Sequence, residues 1–172
     1  LVVSADARTV TFNSAVSVDD ITLGAGSTTT FDSTADAVVV ALNGTTTFTG
    51  AATFTGATSM AAGTTTTFAS TASFAGVTGT TTANMTFDGA VTATGDIATG
   101  VGSTTVFNST VNAATSTLNG STTFEDAVTL TGVLTTGTDS TITLGSKFKG
   151  DSVTAITVAN STAAGLNQAA NT

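Results

Sequence analysis

A chain of 172 residues with three basic side chains against eleven acidic ones, a net charge of −8 and no Cys, His, Trp, Tyr or Pro lacks most groups that catalysis uses. The negative charge repels phosphate backbones, and Arg8, Lys147 and Lys149 cannot form a basic patch, so nucleic acid is excluded as a partner. Without Cys there is neither a disulfide framework nor a thiolate metal site, and the longest apolar run, Ala37-Val38-Val39-Val40-Ala41-Leu42, falls far short of the ~20 residues of a membrane helix, so no membrane insertion is expected.

Taken from the N-terminus, Leu1-Val2-Val3 reads as the third side of an earlier coil, comparable to Val38-Val39-Val40. The chain is therefore expected to enter in mid-turn, with an open first coil. It starts without Met or a charged leader, so any secretion signal is expected to lie outside it. Then a Thr-rich tetrapeptide ending in Phe recurs: Thr9-Val10-Thr11-Phe12, Thr28-Thr29-Thr30-Phe31, Thr45-Thr46-Thr47-Phe48, Thr65-Thr66-Thr67-Phe68, Asn84-Met85-Thr86-Phe87, Thr104-Thr105-Val106-Phe107 and Ser121-Thr122-Thr123-Phe124. Thr141-Ile142-Thr143-Leu144 is an eighth version. Successive Phe residues are 19, 17, 20, 19, 20 and 17 positions apart. A period of this kind announces stacked repeats.

Each unit continues alike. Four residues after the anchor stand Val16, Ala35, Ala52, Ala72, Val91, Val111, Val128 and Phe148, and two further on Val18, Ala37, Phe54, Phe74, Ala93, Ala113 and Leu130. That alternation predicts a strand with one face buried. Asn13-Ser14, Asp32-Ser33, Asp88-Gly89 and Asn108-Ser109 supply turn chemistry between the two strands. A third apolar patch (Ile21/Leu23, Val40/Leu42, Met60, Val77, Ile97, Leu118, Val133) precedes a Gly-containing corner. The expected fold is thus an all-β, parallel β-solenoid of about eight three-sided coils of roughly 19 residues, right-handed by the crossover rule, spanning 1–159, with 160–172 a polar tail or assembly segment. A β-sandwich also recurs every 8–12 residues. It does not set one residue type at one phase eight times, whereas a solenoid must, because equivalent positions stack.

The unit Thr-Thr-Thr-Phe-(Asn/Asp)-(Ser/Gly)-x-Val-x-Val, repeated over residues 8–158, resembles the Thr/Gly-rich β-solenoid repeats of bacterial autotransporter and filamentous-haemagglutinin-like adhesins. The resemblance implies surface display with adhesion or fibre building, and transfers no functional residue. An extracellular or cell-surface location is the corresponding expectation.

No enzyme is expected. The adjacent acids Asp19-Asp20 and Glu125-Asp126 should point to opposite faces of a strand, and no Ser or Thr has an activating His or central Lys. No cofactor is expected either. Calcium is the metal that an oxygen-only ligand set suits, and Asp32, Asp36, Asp88 and Asp96 are the acids to inspect for it. Asn43, Asn84, Asn108, Asn119 and Asn160 stand in glycosylation sequons.

Two functions remain. In the first, the chain self-assembles end to end, because uncapped coils offer unpaired backbone groups, with Leu1, Val2, Val3, Lys147, Lys149 and Leu166 as assembly residues. In the second it binds ice through an outward Thr-x-Thr ladder, Thr9/Thr11, Thr28/Thr30, Thr45/Thr47, Thr65/Thr67 and Thr141/Thr143, which is similar to the arrays of insect solenoid antifreeze proteins.

Overall fold

In the computed structural model the chain winds into a stack of parallel strands, about seven turns of roughly 19 residues. The structure describes residues 1–4, 8–137 and 140–145, together with the backbone of the strands Ala155–Val158 and Gly165–Gln168. Phe148, Lys147 and Lys149 lie outside the described residues. All elements among the described residues are strands.

Two sheets form the walls. The Thr-rich tetrapeptides are the four-residue strands of a narrow, nine-stranded sheet, and the following apolar segments are the longer strands of a wide, ten-stranded sheet. Coil 1 joins Thr9–Phe12 to Val16–Leu23, coil 2 joins Thr28–Phe31 to Ala35–Leu42, and coil 3 joins Thr45–Phe48 to Ala52–Met60. Coils 4 to 6 repeat this with Thr65–Phe68 and Ala72–Gly79, Asn84–Phe87 and Val91–Thr99, Thr104–Phe107 and Val111–Leu118. Coil 7 pairs Ser121–Phe124 with a broken wall, Val128–Leu130 and Val133–Thr136. An eighth coil begins at Thr141–Leu144, and its turn falls outside the described residues.

Stacking in strict register brings the Phe anchors together, because parallel pairing places like phases opposite one another: Phe12 on Phe31, Phe31 on Phe48, and so on to Phe124. Successive ring centroids are 4.8–5.0 Å apart and the planes lie within 14° of parallel. That is the offset-stacked geometry, worth about 0.5–1.5 kcal/mol per pair beyond area burial. Phe54 and Phe74 from the wide sheet meet the stack edge-on at 5.4 and 5.3 Å, packing against Phe48 and Phe68. From Phe31 to Phe107 each ring is 2 % exposed or less.

The expected second and third sides are a single wall with a bend. Each long strand carries two or more consecutive residues turned outward at mid-length, such as Val38 and Val39, and where an eight-residue strand pairs a nine-residue one the register slips there, as between Ala37 and Val40 or Ala93 and Asp96. For the same reason Asp19 and Asp20 are both exposed, and do not alternate as adjacent residues of a straight strand do. In coil 7 the inward residue is Leu134, while Val133, which the sequence pattern placed inside, is 40 % exposed.

The uneven Phe spacing has a simple anatomy. Tetrapeptide and turn are constant, the long strand has eight or nine residues, and the corner after it has four or two. The two steps of 17 arise from the two-residue corners Asn43-Gly44 and Asn119-Gly120. Four-residue corners instead put their third residue in left-handed backbone: Gly26, Gly63 and Gly102 at φ of 71–75°, and Thr82 at 60°. A β-branched residue there is strained.

Two outcomes are expected. Phe68→Ala, in the middle of the stack, lowers unfolding free energy by about 3–5 kcal/mol in denaturant titration. Thr82→Gly raises it by about 0.5–1 kcal/mol, since the strain relieved outweighs the added chain entropy. A loss of stability in Thr82→Gly would show that the Thr82 hydroxyl, which donates to the Thr81 carbonyl at 2.6 Å, matters more than the strain.

Candidate functional site

The narrow sheet turns alternate side chains inward and outward, as a period of two requires. Within each tetrapeptide the second residue and the Phe face the interior, while the first and third face solvent. The outer column formed by Thr9, Thr28, Thr45, Thr65, Thr104, Ser121 and Thr141 is exposed. Its neighbour, formed by Thr30, Thr47, Thr67, Thr86, Val106, Thr123 and Thr143, is half-buried between the strands, with Thr11 in the first coil exposed. The outward ladder read from the sequence is therefore brought together as one surface. Its deviant member Asn84 is held down along the column: its Oδ1 accepts from the amide of Thr104 at 3.2 Å.

Negative charge is segregated from this surface, and the one described basic side chain, the exposed Arg8, stands just before its first strand. The described acids are Asp19, Asp20, Asp36 and Asp96 on the wide sheet, and Asp32, Asp88, Glu125 and Asp126 in the turn that follows the Phe anchor. Among the described residues, neither a narrow-sheet strand nor a Gly-containing corner carries a charged side chain. Three of the acids accept from a neighbour in the adjacent coil: Asp88 from Asn108 Nδ2 at 2.8 Å, Asp96 from Thr115 Oγ1 at 3.0 Å, and Asp32 from Thr49 Oγ1 at 3.4 Å. No three acids converge among the described residues, so the four Asp singled out for calcium do not form a cluster there.

The inward column has its own character. Thr29, Thr46, Thr66, Thr105 and Thr122 occupy one interior phase, all at 1 % exposure or less, and their Oγ1 atoms make no hydrogen bond to the described residues. Val10, Met85 and Ile142 fill the same phase with apolar groups. An unpaired buried hydroxyl costs about 1–3 kcal/mol, so Thr66→Val is expected to stabilise the fold by about 1 kcal/mol in thermal unfolding. A decrease would mean that the hydroxyl is bonded to an internal water.

The ends differ from the middle. Leu1–Val3 contributes a two-residue strand, Val2 opposite Thr22 and Val3 opposite Leu23, and so covers only the second half of the first long strand, the third-side position expected for it. The Leu1 ammonium donates to the Asp20 carbonyl. Val10, Phe12, Val16 and Val18 are left half-buried at the top of the stack, whereas their counterparts one coil down, Thr29, Phe31, Ala35 and Ala37, are 0–5 % exposed. At the far end the segment read as a tail supplies a strand, Gly165–Gln168, paired to Thr141–Leu144 with Leu166 opposite Ile142.

One feature went unread in the spacing. Asn43-Gly44 and Asn119-Gly120 stand 76 residues apart, and without gaps residues 24–65 and 100–141 are identical at 20 of 42 positions. The short corner thus recurs four coils on, within a stretch of about two coils that matches the earlier one. In both corners a Cβ on the Gly would collide with the backbone and hydroxyl of a Ser in the preceding coil, Ser27 or Ser103. The signal was the shorter step of 17 recurring four units later.

No family model matches the chain, and neither do a curated protein or a solved structure.

Proposed function

We propose that the chain is a rod-like structural element of a fibre or adhesin displayed at a cell surface, lengthened by coil-on-coil stacking at its ends. The observation that carries this reading is the open first coil: Val10, Phe12, Val16 and Val18 present to solvent the same apolar cross-section that every later coil buries. What fits there is another coil of the same kind, since only a parallel strand at the same phase continues the aromatic stack and pairs the free edge of Thr9–Phe12. The last strand of a second copy would pair that free edge, though without adding a ring to the stack, since Gln168 stands at the phase of Phe12. Set above Thr9–Phe12, Gly165–Gln168 would bring Leu166 to the phase of Val10 by the same register that now sets it opposite Ile142. Repetition itself supports the reading, for a chain that specifies the same cross-section coil after coil specifies length and stiffness. With a net charge of −8 on each copy, joining is opposed by repulsion that salt screens within about 10 Å at 0.1 M.

Small-angle scattering with light scattering over a concentration series tests this. The intact chain is expected to grow in length by multiples of about 40 Å, the height of eight coils at about 4.8 Å each. Val18→Lys, or deletion of residues 1–7 or 160–172, is expected to shift the population to shorter particles. If the chain stays a dispersed monomer at high concentration in 0.15 M salt, self-stacking is wrong, and the open face is a seam within a longer rod.

A further inference from the structure

We propose that the outward face of the narrow sheet is a lateral docking surface for a second copy of this chain, two rods pairing face to face through interdigitated Thr columns. This goes beyond axial stacking and rests on a different observation, the segregation of charge. A rod with a net charge of −8 can bring a copy of itself close only where both partners are neutral. The wide sheet carries Asp19, Asp20, Asp36 and Asp96, and the turns after the anchors carry Asp32, Asp88, Glu125 and Asp126. The narrow-sheet strands carry none among the described residues, so face-to-face approach there leaves the acids at the rim, exposed to screening salt.

Shape agrees with charge. Both partners repeat with the same spacing because both are the same stack, so if the Thr methyls of one copy sit between those of the other at a single coil, they do so at every coil. That is the dry, interdigitated packing of paired sheets with identical ladders. The irregular positions are compatible with it: Val106 is the shape of Thr, Ser121 is smaller, and Asn84 is drawn along the column by its bond to the Thr104 amide. Nine strands at about 4.8 Å, each about 13 Å long, make a face of about 500 Å² per partner. The pair would bury about 1,000 Å², the lower bound for a specific interface. Pairing of single chains is accordingly weak, and it strengthens as rods lengthen and faces add.

The same surface has a rival occupant in ice. The Thr columns that would face ice lapse at the amide of Asn84 and the methyls of Val106, lapses that shape-matched pairing tolerates. The observations therefore favour the second copy.

The test separates thickness from length. Scattering from the 172-residue chain gives mass per unit length and cross-sectional radius, which end-to-end stacking leaves unchanged and lateral pairing doubles or widens. Mass per unit length is expected to rise towards twofold between about 20 mM and 500 mM NaCl, as repulsion is screened. Thr47→Glu with Thr67→Glu, which sets carboxylates against carboxylates across the interface, is expected to hold it at the single-rod value at all salt concentrations. Thr53→Glu with Ser73→Glu adds the same charge to the exposed wide face and is expected to pair like the parent, so that net charge and folding, checked by circular dichroism, are controlled. A mass per unit length that stays single in the parent at high salt overturns the proposal, as does doubling that persists in Thr47→Glu with Thr67→Glu. Faceted ice growth from a parent that does not pair assigns the face to ice instead.

Discussion

Everything in this structure depends on in-register stacking of one coil on the next. A parallel ladder sets residues of like phase opposite each other, and the repeat places a Phe at the phase where the interior is deepest, so seven rings form one continuous pile with centroids about 4.9 Å apart. The spacing is dictated by backbone hydrogen bonding, and the rings accept it by sliding into an offset arrangement. Neither contribution works alone. Four-residue strands hold little pairing energy by themselves, and a row of Phe without the ladder has nothing to keep it in file.

The constraint propagates to composition. With one wall of the interior filled by aromatic rings, the facing position on the wide sheet is Ala in three coils, at Ala37, Ala93 and Ala113, and enlarges to Phe54 and Phe74 in coils 3 and 4. There the rings meet the stack edge-on, the arrangement that brings a positive ring edge to a negative ring face. Interior Thr at the neighbouring phase has the volume of Val and strong strand propensity, and it is retained five times despite an unpaired hydroxyl. Glycine is required where the short corners bring Gly44 and Gly120 against the Ser of the coil before.

Function, on the reading argued above, is a matter of what each surface of the rod permits. The first coil leaves apolar residues half-buried beside a free strand edge, so the rod extends there. The wide sheet and the turns after the anchors are acidic, so they hold copies apart and keep the rod hydrated. The narrow sheet is neutral and regular. A single four-residue pattern thus sets both the interior stack and the outer face, because the period of two divides each tetrapeptide between them.

Much of this was legible in the chain itself. Stacking demands the same residue type at the same phase, so the walls, the Phe pile, the outward Thr columns and the mid-turn entry at Leu1-Val2-Val3 could be read directly from recurrence. Recurrence says which residues share a phase, but not how the backbone passes from one phase to the next. The second and third sides proved to be one bent strand, Asp19 and Asp20 proved to point the same way, and Leu134 displaced Val133 from the interior, all because a bend turns consecutive residues outward and shifts the alternation by one. The strand at Gly165–Gln168 was hidden for another reason: pairing with an existing edge is made by backbone groups, which polar residues supply as well as apolar ones. Composition likewise counted the acids without locating them. That the neutral face and the acidic faces are distinct surfaces was decided only when the coils were wound and stacked, since sidedness belongs to the direction each side chain takes from the folded backbone.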